Sequence, residues 1–154
     1  MISLDEWLRN LGAEDGPDLL VGCTGHLSLT KPETPNLLRH LQRSVLGPLF
    51  DQPKPQHVAI VTGFCCGADL GFVRAACAWL VREGIPYKLH CLQALPPEQL
   101  AIDWALHRSM DTDVTVPKDM RKICQQEIET LLDGCEVIVN LLPRDLPRGN
   151  VYDE

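Results

Sequence analysis

Between Leu19 and Leu142 the apolar residues fall into two alternating kinds of run. The first kind is short and nearly unbroken: Leu19-Leu20-Val21-Gly22-Cys23, His57-Val58-Ala59-Ile60-Val61-Thr62, Tyr87 to Leu92, and Glu136 to Leu142. Runs of this length are too short for helices, and turn residues bound them, so they predict strands buried on both faces, as in a parallel sheet. Asp113 to Val116 predicts a further brief strand.

The second kind has helical spacing. Leu4, Trp7, Leu8 and Leu11 form one stripe, opened by the capping box Ser3 and Glu6 and closed by Gly12 and Gly16-Pro17. Thr34 and Pro35 then fit a helix start, with Leu38, Leu41, Val45 and Leu49 inward. The proline-rich link Gln52-Pro53-Lys54-Pro55 ends that unit. Leu70, Val73, Cys77 and Leu80 predict the next helix, stopped by Gly84. Pro97 to Met110 places Leu100, Trp104 and His107 inward. Lys118 to Leu132 repeats the pattern through Met120, Ile123, Glu127 and Leu131, with Ile128 beside them and Gly134 as cap.

Strands alternating with helices imply right-handed βαβ crossovers. The expected fold is α/β: a Rossmann-like, doubly wound, mostly parallel sheet of about five strands with helices on both faces and a short N-terminal helix. No repeat or boundary divides the chain. Residues 1–154 read as one domain, with 1–17 as N-terminal helix and linker and 143–154 (Pro143, Pro147, Gly149) as an irregular tail.

Composition narrows the partners. With 45% hydrophobic and 23% charged residues the chain is an ordinary globular one. No run approaches the roughly 20 apolar residues that cross a bilayer. The opening Met1-Ile2-Ser3-Leu4-Asp5-Glu6 lacks the basic and apolar regions of a secretory signal, so a cytoplasmic location is expected. A net charge of −7, with Lys118, Arg121 and Lys122 as the nearest thing to a basic cluster, argues against nucleic acid as a bulk ligand. The seven cysteines show neither CxxC nor zinc-type spacing. They read as free, mostly buried thiols, and no metal is expected. Cys65-Cys66 fits a tight turn, with a redox role as the alternative.

Two glycine-rich turns follow the first two strands, at the end of the sheet where α/β folds bind ligands. The first is Gly22-Cys23-Thr24-Gly25-His26, in which backbone amides, the Thr24 hydroxyl and His26 can face an anion. The second is Thr62-Gly63-Phe64-Cys65-Cys66-Gly67-Ala68-Asp69, running into a helix whose first amides and dipole favour negative charge. Asp69 reads either as a cap for free amides or as an acceptor for a ribose hydroxyl or base N–H. Neither turn is a Walker loop or a full GxGxxG. Gly22, Thr24, Gly25, His26, Thr62, Gly63, Phe64, Gly67, Ala68 and Asp69 are thus the candidate ligand-binding residues.

Val21 to His26 resembles the G-x-T-G-H-R opening of the SLOG superfamily of Rossmann-like domains, and Thr62 to Asp69 resembles its G-x-x-x-G-A-D turn. That group includes the DNA-processing protein of natural transformation, the cytokinin-activating phosphoribohydrolases and many small bacterial domains thought to sense nucleotide-derived ligands. The resemblance implies a nucleotide-type ligand. Two departures stand out: Leu27 occupies the position where arginine often follows the histidine, and nothing matches the phosphoribohydrolases' P-G-G-x-G-T-x-x-E motif, since Pro143 to Asn150 follow Leu142.

Other polar groups read blandly. Asp103 and His107 make an i,i+4 pair on a helix face near Arg108 and Asp111, too few ligands for a metal. His90, mid-strand, reads as a packed core histidine, and no GxSxG elbow supports a serine hydrolase. The favoured function is a binding module for a nucleotide or nucleotide derivative. The alternative is a hydrolase or transferase acting on the N-glycosidic bond of a nucleotide, with Asp69 or Glu98 stabilising the oxocarbenium charge. A further alternative is a ligand-free scaffold. Exposed apolar surface, on the sheet edge or the helix carrying Trp104, would favour a homodimer under any of them.

Overall fold

The computed structural model describes residues 1–23, 36, 39–51, 55–109 and 118–142. The four unbroken apolar runs are strands: β1 (Leu19–Gly22), β2 (Val58–Thr62), β3 (Tyr87–Gln93) and β4 (Val137–Asn140). They form one sheet of four strands in the order β1-β2-β3-β4, every described pair parallel. The brief strand expected at Asp113 to Val116 and the tail from Pro143 lie outside the described residues, as do Thr34, Pro35 and Leu38.

The helices are α1 (Leu4–Leu11), a π-helical stretch (Leu41–Leu46) running into α2 (Gly47–Asp51), α3 (Ala68–Glu83), α4 (Pro97–Ser109) and α5 (Lys118–Asp133). Their ends obey the local chemistry. The Glu6 N–H donates to Ser3 Oγ at 3.1 Å. Gly84 takes the left-handed conformation (φ 68°) and the Ile85 N–H bonds back to the Leu80 carbonyl at 2.9 Å, a closure that suits glycine.

Ile2 explains how both faces of the sheet are served. Its N–H donates to the Ile138 carbonyl (2.9 Å) and its carbonyl accepts from Asn140 (2.8 Å), so it lies alongside β4. The chain then passes to β1 at the other side of the sheet and walks back, strand by strand, to β4. Right-handed crossovers in opposite directions put their helices on opposite faces. Accordingly Trp7 of α1 meets His90 on one face. On the other, Val58, Ile60 and Cys91 join a core with Leu46, Phe50, Phe72, Leu80, Trp104 and Ile128. Among the described residues, one face carries α1 alone.

Three expected faces shift. Val45 and Leu49 are 38% and 37% exposed, whereas Leu46 and Phe50 are fully buried. The π-helical stretch holds more residues per turn and rotates the stripe by one position. On α5, Ile123 is half exposed while Cys124 and Ile128 are buried; Met120 and Leu131 border both rows, so the spacing fitted either. On β1 only Val21 is buried, and Leu20 is 44% exposed, because this strand pairs only with β2 among the described residues and α1 leaves its outer face open. No described helix is long and apolar enough to cross a membrane.

Candidate functional site

Gly22 of β1 pairs in register with Val61 of β2, so the two strands end side by side where the two glycine turns begin. Thr24, Gly25 and His26 lie outside the described residues. Cys23 is described, and the Asp69 carboxylate is close enough to raise its thiol further, after burial has already done so. The start of the first turn and the core of the second are therefore neighbours.

The second turn is organised by Asp69, which is buried. Its Oδ1 accepts from the Thr62 hydroxyl (3.1 Å) and its Oδ2 from the Cys65 N–H (3.1 Å), with the Gly63 N–H also bonded to the carboxylate. Thr62 Oγ1 in turn accepts from the Phe64 N–H at 2.9 Å. Burial pushes the Asp69 carboxyl above its ordinary value, and these donors only partly offset it. Asp69 thus ties the turn together from within and makes no cap to the first amides of the helix that follows.

Phe64 is the strained point: it has φ 55°, which is uncommon for a bulky residue, and its side chain is fully buried. Its carbonyl accepts the Trp104 indole N–H at 2.7 Å. With its N–H given to Thr62 and its carbonyl to Trp104, Phe64 presents no surface to a ligand and serves the turn itself. Trp104 was expected as core, but its part in fixing this turn was not. The signal available was general: a buried tryptophan N–H needs an acceptor.

Gly67 follows with φ 88° and ψ −129°, a conformation open to glycine, and α3 starts at Ala68 with no side chain capping it. The first main-chain bond within the helix runs from Gly71 N–H to the Gly67 carbonyl. The amides of Ala68 and Asp69 precede it, at the positive end of a helix of 16 residues. The amides of Gly63, Phe64 and Cys65 serve the turn itself.

Cys65 and Cys66 are free thiols, pushed upward mainly by burial, which leaves little thiolate for redox chemistry. His90 is a packed core residue as expected: its Nδ1 accepts the Trp7 indole N–H at 2.9 Å, and burial lowers its basicity. His107 Nε2 and Asp103 Oδ1 are 3.4 Å apart, and no group of three potential ligands gathers among the described residues. Arg108, expected on a solvated face, stacks on Trp104 (5.0 Å to the ring centre) and bonds Glu127 at 2.7 Å. Glu98 is exposed in the first turn of α4.

Compared with protein-family models, curated proteins and solved structures, the chain matches none of them.

Proposed function

We propose that this is a Rossmann-like binding domain that holds the phosphate of a nucleotide or nucleotide derivative at the carboxyl ends of β1 and β2. One observation carries the reading: the N-terminus of α3, which no side chain caps, sits at the end of β2 behind a turn in which the N–H groups of Gly63, Phe64 and Cys65 are already taken by Asp69 and Thr62. The turn is preorganised, so an anion would meet the helix amides without first reorganising the loop. The nucleotide class rests on the likeness of Gly22 to His26 and of Thr62 to Asp69 to the SLOG turns.

Binding is favoured over N-glycosidic cleavage. A catalytic carboxylate needs free lone pairs facing substrate, whereas that of Asp69 is buried and engaged by Thr62, Gly63 and Cys65.

A thermal-shift panel of nucleotides and phosphorylated metabolites tests this. A ligand at about a hundred times its dissociation constant adds roughly 2.7 kcal/mol, which for a chain of this size is a shift of about 5–11 °C. The informative variant is Ala68→Glu. A carboxylate in the first turn suits the helix dipole and preserves folding, but repels an anionic ligand. A shift in the wild type that Ala68→Glu abolishes supports the site; silence from a folded wild type across the whole panel sinks it.

A further inference from the structure

α1 packs on the face of the sheet away from the main core. Beneath it, at the amino ends of the strands, is a cleft of about 300 Å³, at the lower limit of small-molecule sites. Ala59 of β2, Lys88 and His90 of β3 and Val137 of β4 line it from the sheet. Trp7 and Asp15 line it from α1 and the linker that follows. By the share of liquid volume per water, it has room for about ten water-sized groups.

The walls of this cleft are fixed. A Cβ on Gly16 would sit 2.6 Å from the Leu11 carbonyl and 2.9 Å from that of Ala13, so the bend after α1 accepts only glycine. The Asp18 carboxylate takes the N–H groups of Gln56 and His57 at 2.8 and 2.7 Å, tying the linker to the start of β2. Ile2 holds the other side through its two main-chain bonds to β4.

The polar lining is specific. An indole N–H can only donate, so the Trp7 bond leaves His90 Nδ1 bare, and the neutral ring carries its proton on Nε2 as a donor. The Lys88 ammonium is near enough to His90 to disfavour a second positive charge there, after burial has done so. Lys88 and Asp15 line one cleft with opposite charges. A plain phosphate would gain from the first and be repelled by the second. A dipolar molecule satisfies both.

We propose that this cleft binds a small zwitterion with an apolar body, that is, an amino acid with a hydrophobic side chain. Its carboxylate meets Lys88, its ammonium meets Asp15, and its side chain covers Trp7, Ala59 and Val137. The site lies on the other face of the sheet from the Asp69 cluster, toward the amino ends of the strands, and does not depend on the phosphate site.

The test is a titration of the whole chain, ¹⁵N-labelled at its tryptophan indoles, with L-leucine and L-phenylalanine up to about 10 mM, tenfold above a dissociation constant of about 1 mM. The Trp7 resonance, identified by its loss in Trp7→Phe, moves, while those of Trp79 and Trp104 stay. Lys88→Gln, at an exposed position, weakens the effect at least tenfold; so does removing either charged end of the ligand, with 4-methylpentanoate or 3-methylbutylamine. Ala68→Glu leaves it unchanged, which separates this proposal from the phosphate site. A still Trp7 resonance in folded protein overturns the proposal, as does undiminished binding to Lys88→Gln or of 4-methylpentanoate.

Discussion

Replacing Asp69 probes the candidate phosphate turn more sharply than any other change. In Asp69→Ala the Thr62 hydroxyl and the N–H groups of Gly63 and Cys65 lose their acceptor together. A buried donor left unsatisfied costs roughly 1–3 kcal/mol. Three such losses are reduced by water entering the half-buried turn and by relief of the buried charge. The carboxyl is pushed upward, so its hydrogen bonds do not fully repay its desolvation. The net expectation is a loss of about 2–4 kcal/mol for alanine. Asp69→Asn keeps one carbonyl oxygen and removes the charge, so its loss is smaller, about 1–2 kcal/mol. The same upward shift fixes the pH dependence. The folded state holds this proton more tightly than the unfolded one, whose value is about 3.9. The contribution of Asp69 is therefore most favourable below that value and declines as pH rises through the raised one. Urea unfolding of wild type and both variants at pH 7, with the wild type against Asp69→Asn repeated down to about pH 4, measures all of this. If Asp69→Ala unfolds within about 0.5 kcal/mol of wild type, or if alanine and asparagine cost the same, the claim that this carboxylate builds the turn is wrong.

Three further outcomes can be checked with the same protein. His90 is held less basic than in the unfolded chain, so its contribution is present above the ordinary imidazole value near 6.5 and lost as pH falls below it; the stability gap between wild type and His90→Gln narrows over that range. Trp104→Phe removes the donor to the Phe64 carbonyl and the ring under Arg108, and should cost about 2–3 kcal/mol by urea unfolding. Burial pushes the Cys91 thiol up to about 12 and that of Cys135 to about 11, so neither is alkylated by iodoacetamide at neutral pH in the folded state. Rapid labelling of Cys91 in native protein, read by mass spectrometry, would contradict its burial.

The strands were legible because each is a short apolar run closed by turn residues, and the caps at Ser3 and Gly84 because they depend on neighbours within six positions. What escaped the sequence is set elsewhere. The rotation that buries Leu46 and Phe50 comes from a π-helical stretch, which no apolar spacing specifies when Leu41, Val45 and Leu49 already fit a regular helix. On α5, Cys124 is a small thiol and reads weakly beside Ile123, yet it is the buried one. The exposed face of β1 depends on where α1 lands, which Ile2 and β4 decide from the far end of the chain. Of the candidate site, the clustering of Thr62, Gly63 and Asp69 could be expected from a turn of that length. The inward Phe64 and its bond from Trp104, 40 positions away, could not. His90 was legible as core, but its partner Trp7, 83 positions distant, was not.

The two candidate sites share β2, and the pleat determines whether they can communicate. Side chains alternate across a strand, so Ala59 and Val61 face α1 while Val58, Ile60 and Thr62 face the main core. His90 pairs with Val61 and belongs to the α1 face; Asp69 grips Thr62 on the other. The Trp7–His90 pair and the Asp69 cluster are thus neighbours along the backbone, with the thickness of the sheet between their side chains. Coupling between them would need an element with two discrete arrangements, and β2 is bonded on both sides, to β1 and to β3. Groups without shared partners lose stability additively, within about 0.5 kcal/mol. The double variant carrying Trp7→Phe and Asp69→Asn should therefore unfold with the sum of the two single losses. An interaction energy above about 1 kcal/mol in that cycle would mean that the sheet transmits strain from one face to the other, and that a ligand beneath α1 can alter the phosphate turn.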